Sequence, residues 1–475
     1  KNLYSVHWDN GKAKSVLNMA MNTAEEKALY NNTEFTLLPR DYLERQSRWL
    51  GADDGSSVMK AALFGSAAKE NPAVSSLMEN IYPEAELAFA ENEDKRYLVW
   101  VDDNPVRDAL NRTQLRLSVQ KDGVWSEPVF AFDDGSADFS PVMAATEDGV
   151  LMAWHNIAYG ISEAEGLEEM LKASEIAVTQ DVYRAGGDIP AFVNLTDDEK
   201  LDHSPMLVSD GRKALLVWTK SEDASLDTEE NAPEDRLYFA VWSNGVWSEA
   251  QALDDEYGTI LDTHLVMAGE EALLLYTSDL DHDYATASDR EIYAVVFDGE
   301  ARSEKIRLTR NDVSDYAAKA VFTEGEWFIT WLSEGRLYYR IGLDGEPVEA
   351  SRQDLIQGDY QLTVKEDERP LIALVYTQGG EDLALNLYVS FYDWNRRLWS
   401  DKKALATSDA YTNAFRTVFS KDGRLYVVFT ESEVITEAKL RTVDGKEEWI
   451  DEKNISDKTD LRLAEYTPLR FSPGI

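Results

Sequence analysis

The sequence predicts an all-β fold: a β-propeller of about seven four-stranded blades, with an eighth blade built from both termini as the alternative, and a helical insertion near the N-terminus. Three observations carry this. A unit recurs between residues 84 and 455, in which a short apolar strand crosses a Gly/Asp/Glu turn and a second strand climbs to an aromatic: Trp100, Trp154, Trp218, Tyr276, Trp331, Tyr376 and Phe429, spaced 45 to 64 residues apart. A third strand, an Asp-Gly or Asn-Gly turn and a fourth strand follow. Two copies share a phrase almost letter for letter, Asp122-Gly123-Val124-Trp125-Ser126-Glu127 and Asn244-Gly245-Val246-Trp247-Ser248-Glu249. Second strands such as Ala214-Leu215-Leu216-Val217 and Leu273-Leu274-Leu275 are continuously apolar, which suits strands buried on both faces. Four short strands repeated in this way are the pattern of a propeller.

Taken in order, residues 1–20 read as N-terminal strands that join the propeller. Leu3 to Gly11 resembles Leu237 to Gly245, a third strand running into the turn before a fourth. Residues 21–80 read as the helical insertion. Thr23–Tyr30, Arg40–Leu50 and Ser57–Leu77 are rich in Ala, Glu, Leu and Met. The propeller then fills 81–475, with blades at 84–130, 139–196, 204–253, 262–308, 315–350, 359–407 and 411–455. Tyr466 to Ser472 resembles the first-strand stretch His203 to Ser209. A composite blade joining both ends would remove the exposed sheet edges.

Composition bounds the function. Forty-seven basic against 89 acidic residues give a net charge of −42. That excludes nucleic acid as a partner, since phosphate binding draws on Lys and Arg, and it speaks against anionic membrane surfaces. With no cysteine, disulfides, thiolate catalysis and Cys-ligated zinc are excluded. No apolar run approaches the length of a membrane-spanning helix. The start at Lys1 leads to the expectation of a piece of a longer chain. Asn-x-Ser/Thr sequons stand at Asn31, Asn111, Asn194 and Asn454.

If first strands line a central channel, the loops joining strands two and three share one face, called upper here, with the crossovers between blades. The elaborated segments 157–173, 221–235 and 278–290 all lie there, where binding residues gather on a rigid scaffold. An Asp introduces the first strand at Asp138, Asp202, Asp262, Asp315 and Asp359, most often followed by an aromatic or His. Such an Asp either accepts backbone N–H bonds and ties blades together or contributes to a ring of carboxylates around the channel mouth. Four of the five histidines fall on the same face: His155, His203, His264 and His282. Their convergence with Asp202 and Asp262 makes a metal or acid–base site conceivable. Asp279, Asp281 and Asp283 alternate like the first half of a calcium loop, so calcium is the one cofactor suggested. The Gly and the distal Glu of the full motif are replaced by Tyr284 and Arg290.

With its phrase Asp/Asn-Gly-Val-Trp-Ser-Glu, the repeat resembles those of secreted or cell-surface bacterial β-propeller proteins. The sialidase Asp-box is not matched: Ser118 to Trp125 sets the Asp beside the Gly, and no Arg-Ile-Pro strand is present. No nucleophile elbow or phosphate loop occurs. The elaborated upper loops, without a recognisable catalytic constellation, lead to the expectation of an extracellular or cell-surface binding or scaffold module, non-enzymatic, recognising a glycan or protein partner through the upper face. A glycan-active hydrolase using Asp138, Asp202 and Asp262 with His203 or His264, and a structural segment of a larger surface protein, are the alternatives.

Overall fold

The computed structural model describes residues 5–9, 12–16, 72–83, 85–162, 166–222, 235–253, 258–279, 286–299, 301–350, 356–379, 383–443 and 446–468. The chain is all-β and divides into two compact units. The first comprises Lys1–Gly55 and Glu86–Leu355, the second Ser56–Ala85 and Ile356–Ile475.

In the first unit five antiparallel sheets follow one another along the chain. Their first strands are Leu87–Asn92, Asp138–Ala145, Leu201–Ser209, Thr259–Ala268 and Asp315–Thr323. Their second strands are Lys95–Asp103, Val150–Ile157, Ala214–Ser221, Glu271–Asp279 and Glu326–Ser333. Each sheet is a meander whose first strand begins within three residues of the expected start. The second strands of sheets two and three are buried at every residue. The repeated aromatics pack between sheets: Trp154 and Trp218 have no exposed surface, and Trp218 shares an apolar cluster with Leu151, Ile176 and Trp242. A similar cluster joins Val217 and Phe239 of sheet three to Leu274 and Phe297 of sheet four.

The repeated phrase is a hairpin clamp. Asp122 and Gly123 (φ 53° and 78°) and Asn244 and Gly245 (φ 52° and 83°) are left-handed at both central positions, as a two-residue type I′ turn requires. The Ser that follows then closes the fourth strand. Ser126, Ser248, Ser303 and Ser400 each accept a third-strand N–H on Oγ at 3.0 to 3.1 Å. Each also donates its own N–H back to the same third-strand residue.

The second unit holds strands Tyr360–Lys365, Leu371–Gly379 and Leu385–Asp393, then Ala410–Phe419 and two long strands, Leu425–Val443 and Lys446–Tyr466. Strand Ala73–Ile81 pairs antiparallel with Lys446–Tyr466, so an N-terminal segment completes the sheet made by the C-terminal one. This corrects two expectations. Ala73–Leu77, the described end of the expected helix Ser57–Leu77, is strand, because Leu77, Met78 and Ile81 bury their side chains completely against that sheet. Tyr466 ends a third strand and does not begin a first. The pairing between chain ends therefore uses Ala73–Ile81. Ser5–Asp9 and Lys12–Val16 form a hairpin that pairs, among the described residues, only with itself. The expected helices Thr23–Tyr30 and Arg40–Leu50 lie outside the described residues.

Candidate functional site

The first-strand carboxylates are held by specific partners. Asp138 and Asp202 are fully buried. Each accepts the indole N–H of its own sheet's aromatic, Trp154 at 2.7 Å and Trp218 at 2.6 Å, across the same separation of 16 residues. Burial, with Asp134 adding repulsion, raises the Asp138 carboxyl well above its usual range. Burial pushes Asp202 up to about 7, against the pull of Lys220 and Trp218. The Asp202 Oδ2 lies 3.2 Å from Lys220 Nζ, which also pairs with Asp198. Burial alone would lower the Lys220 ammonium, and the two carboxylates outweigh it. Glu175, beside this group, accepts the Asp198 N–H and is pushed by burial to about 7.

Two residues after the Asp, the first strand bulges. Ser140, Ser204 and Ala317 adopt φ of 45°, 53° and 55°. The pairing register slips at or opposite the same points, as an extra residue in one strand requires. In two of the three cases the bulge N–H turns to a carboxylate of the preceding sheet, Ser140 to Glu86 at 2.5 Å and Ala317 to Asp262 at 2.9 Å. Burial raises Asp262. Asp315 is fully buried, accepts from the Asn311 amide at 2.7 Å and is also raised by burial. Asp359 belongs to the second unit and accepts the N–H of its own neighbour Tyr360 at 2.7 Å.

The structure brings two of the expected histidines together. His155, fully buried on the second strand of sheet two, stands opposite Phe139 with ring centroids 5.5 Å apart. Neither of its ring nitrogens has a hydrogen-bond partner. Burial, and then the charge of nearby His203, hold its pKa down at about 3. His203, half-buried on the first strand of sheet three, is held by burial at about 4. Its Nε2 faces Ser221 Oγ at 3.4 Å and its Nδ1 faces Ser204 Oγ at 2.9 Å. Ser221 spends its own proton on Asp235, 2.6 Å away. With Asp235 ionised, the Ser221 oxygen accepts from His203 Nε2–H, and Nδ1 accepts from the Ser204 hydroxyl. Burial pushes Asp235 to about 7. His264 is apart from this pair: its Nε2 donates to the Ala320 carbonyl at 3.2 Å.

The remaining expected residues divide. Asp279 is buried and bonded to Arg290 Nε at 3.2 Å, whereas Asp281, His282 and Asp283 lie outside the described residues. Of the elaborated loops, 157–173 carries a short helix, Gly166–Lys172. It is tied to sheet one by Asn111, whose amide exchanges two bonds with the Ile161 backbone at 2.9 and 3.0 Å. Ser221, Asp235, Phe139 and Ser204 were not singled out from the sequence. The equal Asp-to-Trp separations, 138 to 154 and 202 to 218, were a readable signal for the buried pairs. A second was Leu-Thr-x-Asp/Asn, at Leu195–Asp198 and Leu308–Asn311. There a Thr Oγ accepts a third-strand N–H and a Glu accepts from two residues on.

No protein-family model matches the chain, and no curated protein sequence matches it. Among solved structures, polysaccharide lyase Uly1 is similar over 86% of this chain and 94% of its own, at 9% identity and a TM-score of 0.51. An intramolecular trans-sialidase from Ruminococcus gnavus matches over 86% and 97% at 12% identity, with a TM-score of 0.41. The β-propeller domain of the Trilobed protease from Pyrococcus furiosus, described as having an open velcro topology, matches over 80% and 98% at 12% identity, with a TM-score of 0.41. The chain resembles β-propeller proteins in its fold.

Proposed function

We propose that this chain is a seven-bladed propeller module, acting outside the cell or at its surface, that binds glycan without cleaving it. The observation that carries this reading is the fastening of Asp138 and Asp202 to buried indoles. A carboxylate with no exposed surface, spent on a structural bond, is poorly placed to protonate or attack a glycosidic bond. At its shoulder remain half-buried side chains of the kind that sugars contact, Phe139, Ser140, His203 and Ser204. The fold likeness to a polysaccharide lyase supports carbohydrate as the ligand class.

The test is incubation of the purified chain on a broad glycan array, reading retained protein and released sugar together. Retention without release is expected. Release would overturn the non-catalytic reading, and silence on both would point to a protein partner or a structural role. One observation favours the hydrolase reading: with a pKa of about 7, Asp202 carries a proton near neutrality, as a general acid must. Release abolished by Asp202→Asn, with the unfolding midpoint retained, would put that reading first.

A further inference from the structure

Resting on the glycan reading, we propose that the corner between the first strands of sheets two and three binds an uncharged sugar, through the Phe139 ring and the His203–Ser204 pair, with His155 as a buried partner behind them. Four observations converge. The first is an unmet need: His155 has no exposed surface and no partner for either nitrogen. A buried polar group in that state costs free energy, so the packing behind Phe139 is not there for stability alone.

The second is a fixed hydrogen-bond pattern. The run Asp235–Ser221–His203–Ser204 orients the His203 ring from behind, Nε2 giving to Ser221 and Nδ1 taking from Ser204. A half-buried hydroxyl and imidazole are thereby held in one arrangement. Ser204 itself is anchored in the left-handed conformation of the bulge. Such pre-ordering lowers the entropy cost of accepting a ligand hydroxyl.

The third is an aromatic face beside the polar groups. Phe139 is half-buried; its ring stands 5.5 Å between centroids from His155, and it packs on one side against the cluster of Ile157, Ile161 and Met170. A half-buried ring beside the Ser204 oxygen, a neutral acceptor, is complementary to the C–H and O–H faces of a sugar.

The fourth is charge. Burial keeps both imidazoles neutral at physiological pH. The nearby ammonium of Lys220 is already matched by Asp198, its ion-pair partner. Uronate or sulfate groups would meet no spare cation from these groups, and the whole chain carries −42. The corner therefore selects against acidic glycans and for neutral ones.

The experiment compares the chain with Phe139→Ala and His203→Ala on paired arrays of neutral and of uronate- or sulfate-bearing glycans, with unfolding midpoints measured alongside. Neutral glycans are expected to bind, and each substitution to weaken them by about tenfold or more. In the variant His155→Phe, the burial of an unmet imidazole is relieved. It should fold at least as stably and still lose affinity, a combination that a purely structural role for His155 would not give. Binding confined to acidic glycans would overturn the inference and leave the glycan reading standing. Neutral-glycan binding unchanged in Phe139→Ala and His203→Ala would remove the corner as the site. No binding to either array would overturn the glycan reading together with the inference.

Discussion

Asp202 and His155 illustrate how burial, rather than partner charges, sets the chemistry of this molecule. Asp202, Asp235 and Glu175 are each pushed by burial to about 7, from ordinary values of 3.8, 3.8 and 4.5. Their folded forms hold protons that the unfolded chain releases. The stability they contribute is full below about pH 4 and is lost as the pH rises to about 7. His155 and His203 work in the opposite sense. Their pKa values fall from 6.5 to about 3 and about 4, so their contribution is present above 6.5 and is lost as the pH falls. Three carboxyl groups against two imidazoles leave a net gain in stability on mild acidification from pH 8 to pH 5. Urea unfolding across that range should show the midpoint rising as the pH falls. His155→Phe removes one opposing group and should steepen that rise. A midpoint that falls throughout would show that the imidazoles outweigh the carboxyl groups.

At the scale of elements, legibility followed locality. The hairpins at Asp122-Gly123 and Asn244-Gly245 were readable because the left-handed turn and the paired strands lie within a few residues of each other. The second strands were readable because burial on both faces demands an unbroken apolar run. Ala73–Leu77 was misread as the end of a helix because its local pattern is overruled by a partner nearly 400 residues away, a distance no local pattern reports. The site divided in the same way. The acidic residues were visible as a repeat, but their bonds to Trp154 and Trp218 depend on the strand pairing that brings the two together. His155 and His203 were visible as scarce residues, and their proximity required neighbouring sheets. The closing strand makes a sharp prediction. Leu77 is fully buried in an edge strand whose pairing register is broken after Ser76 and again after Met78. Leu77→Ala should cost about 2–4 kcal/mol by urea unfolding and expose Ala73–Ile81 to protease before the rest of the chain. Val74 lies 44% exposed on the same strand, and Val74→Ala should cost well under about 1 kcal/mol. Equal costs at both positions would mean that the strand closes the sheet through its backbone alone.

The whole molecule carries a charge imbalance that its ion pairs cannot absorb. With 89 acidic and 47 basic residues, even complete pairing would leave 42 carboxylates in excess. Buried contacts such as Asp103–Arg112, with side chains 5% and 2% exposed, are insulated from the solution. Exposed pairs such as Arg212–Glu147, at 82% and 62%, gain little from their attraction. What added salt changes most is the mutual repulsion of the surplus surface carboxylates, which opposes the compact state more than the expanded one. Raising NaCl from about 0.01 M to about 0.1 M shortens the screening length from roughly 30 Å to roughly 10 Å, so carboxylates farther apart than that cease to repel one another. The urea midpoint at pH 8 should therefore rise with salt. The same rise should be smaller at pH 5, where buried carboxyl groups have already gained stability and the surface has begun to lose charge. A midpoint that falls with salt would assign the balance to the exposed pairs. It would also mean that the excess negative charge is spread too thinly over the surface to oppose folding.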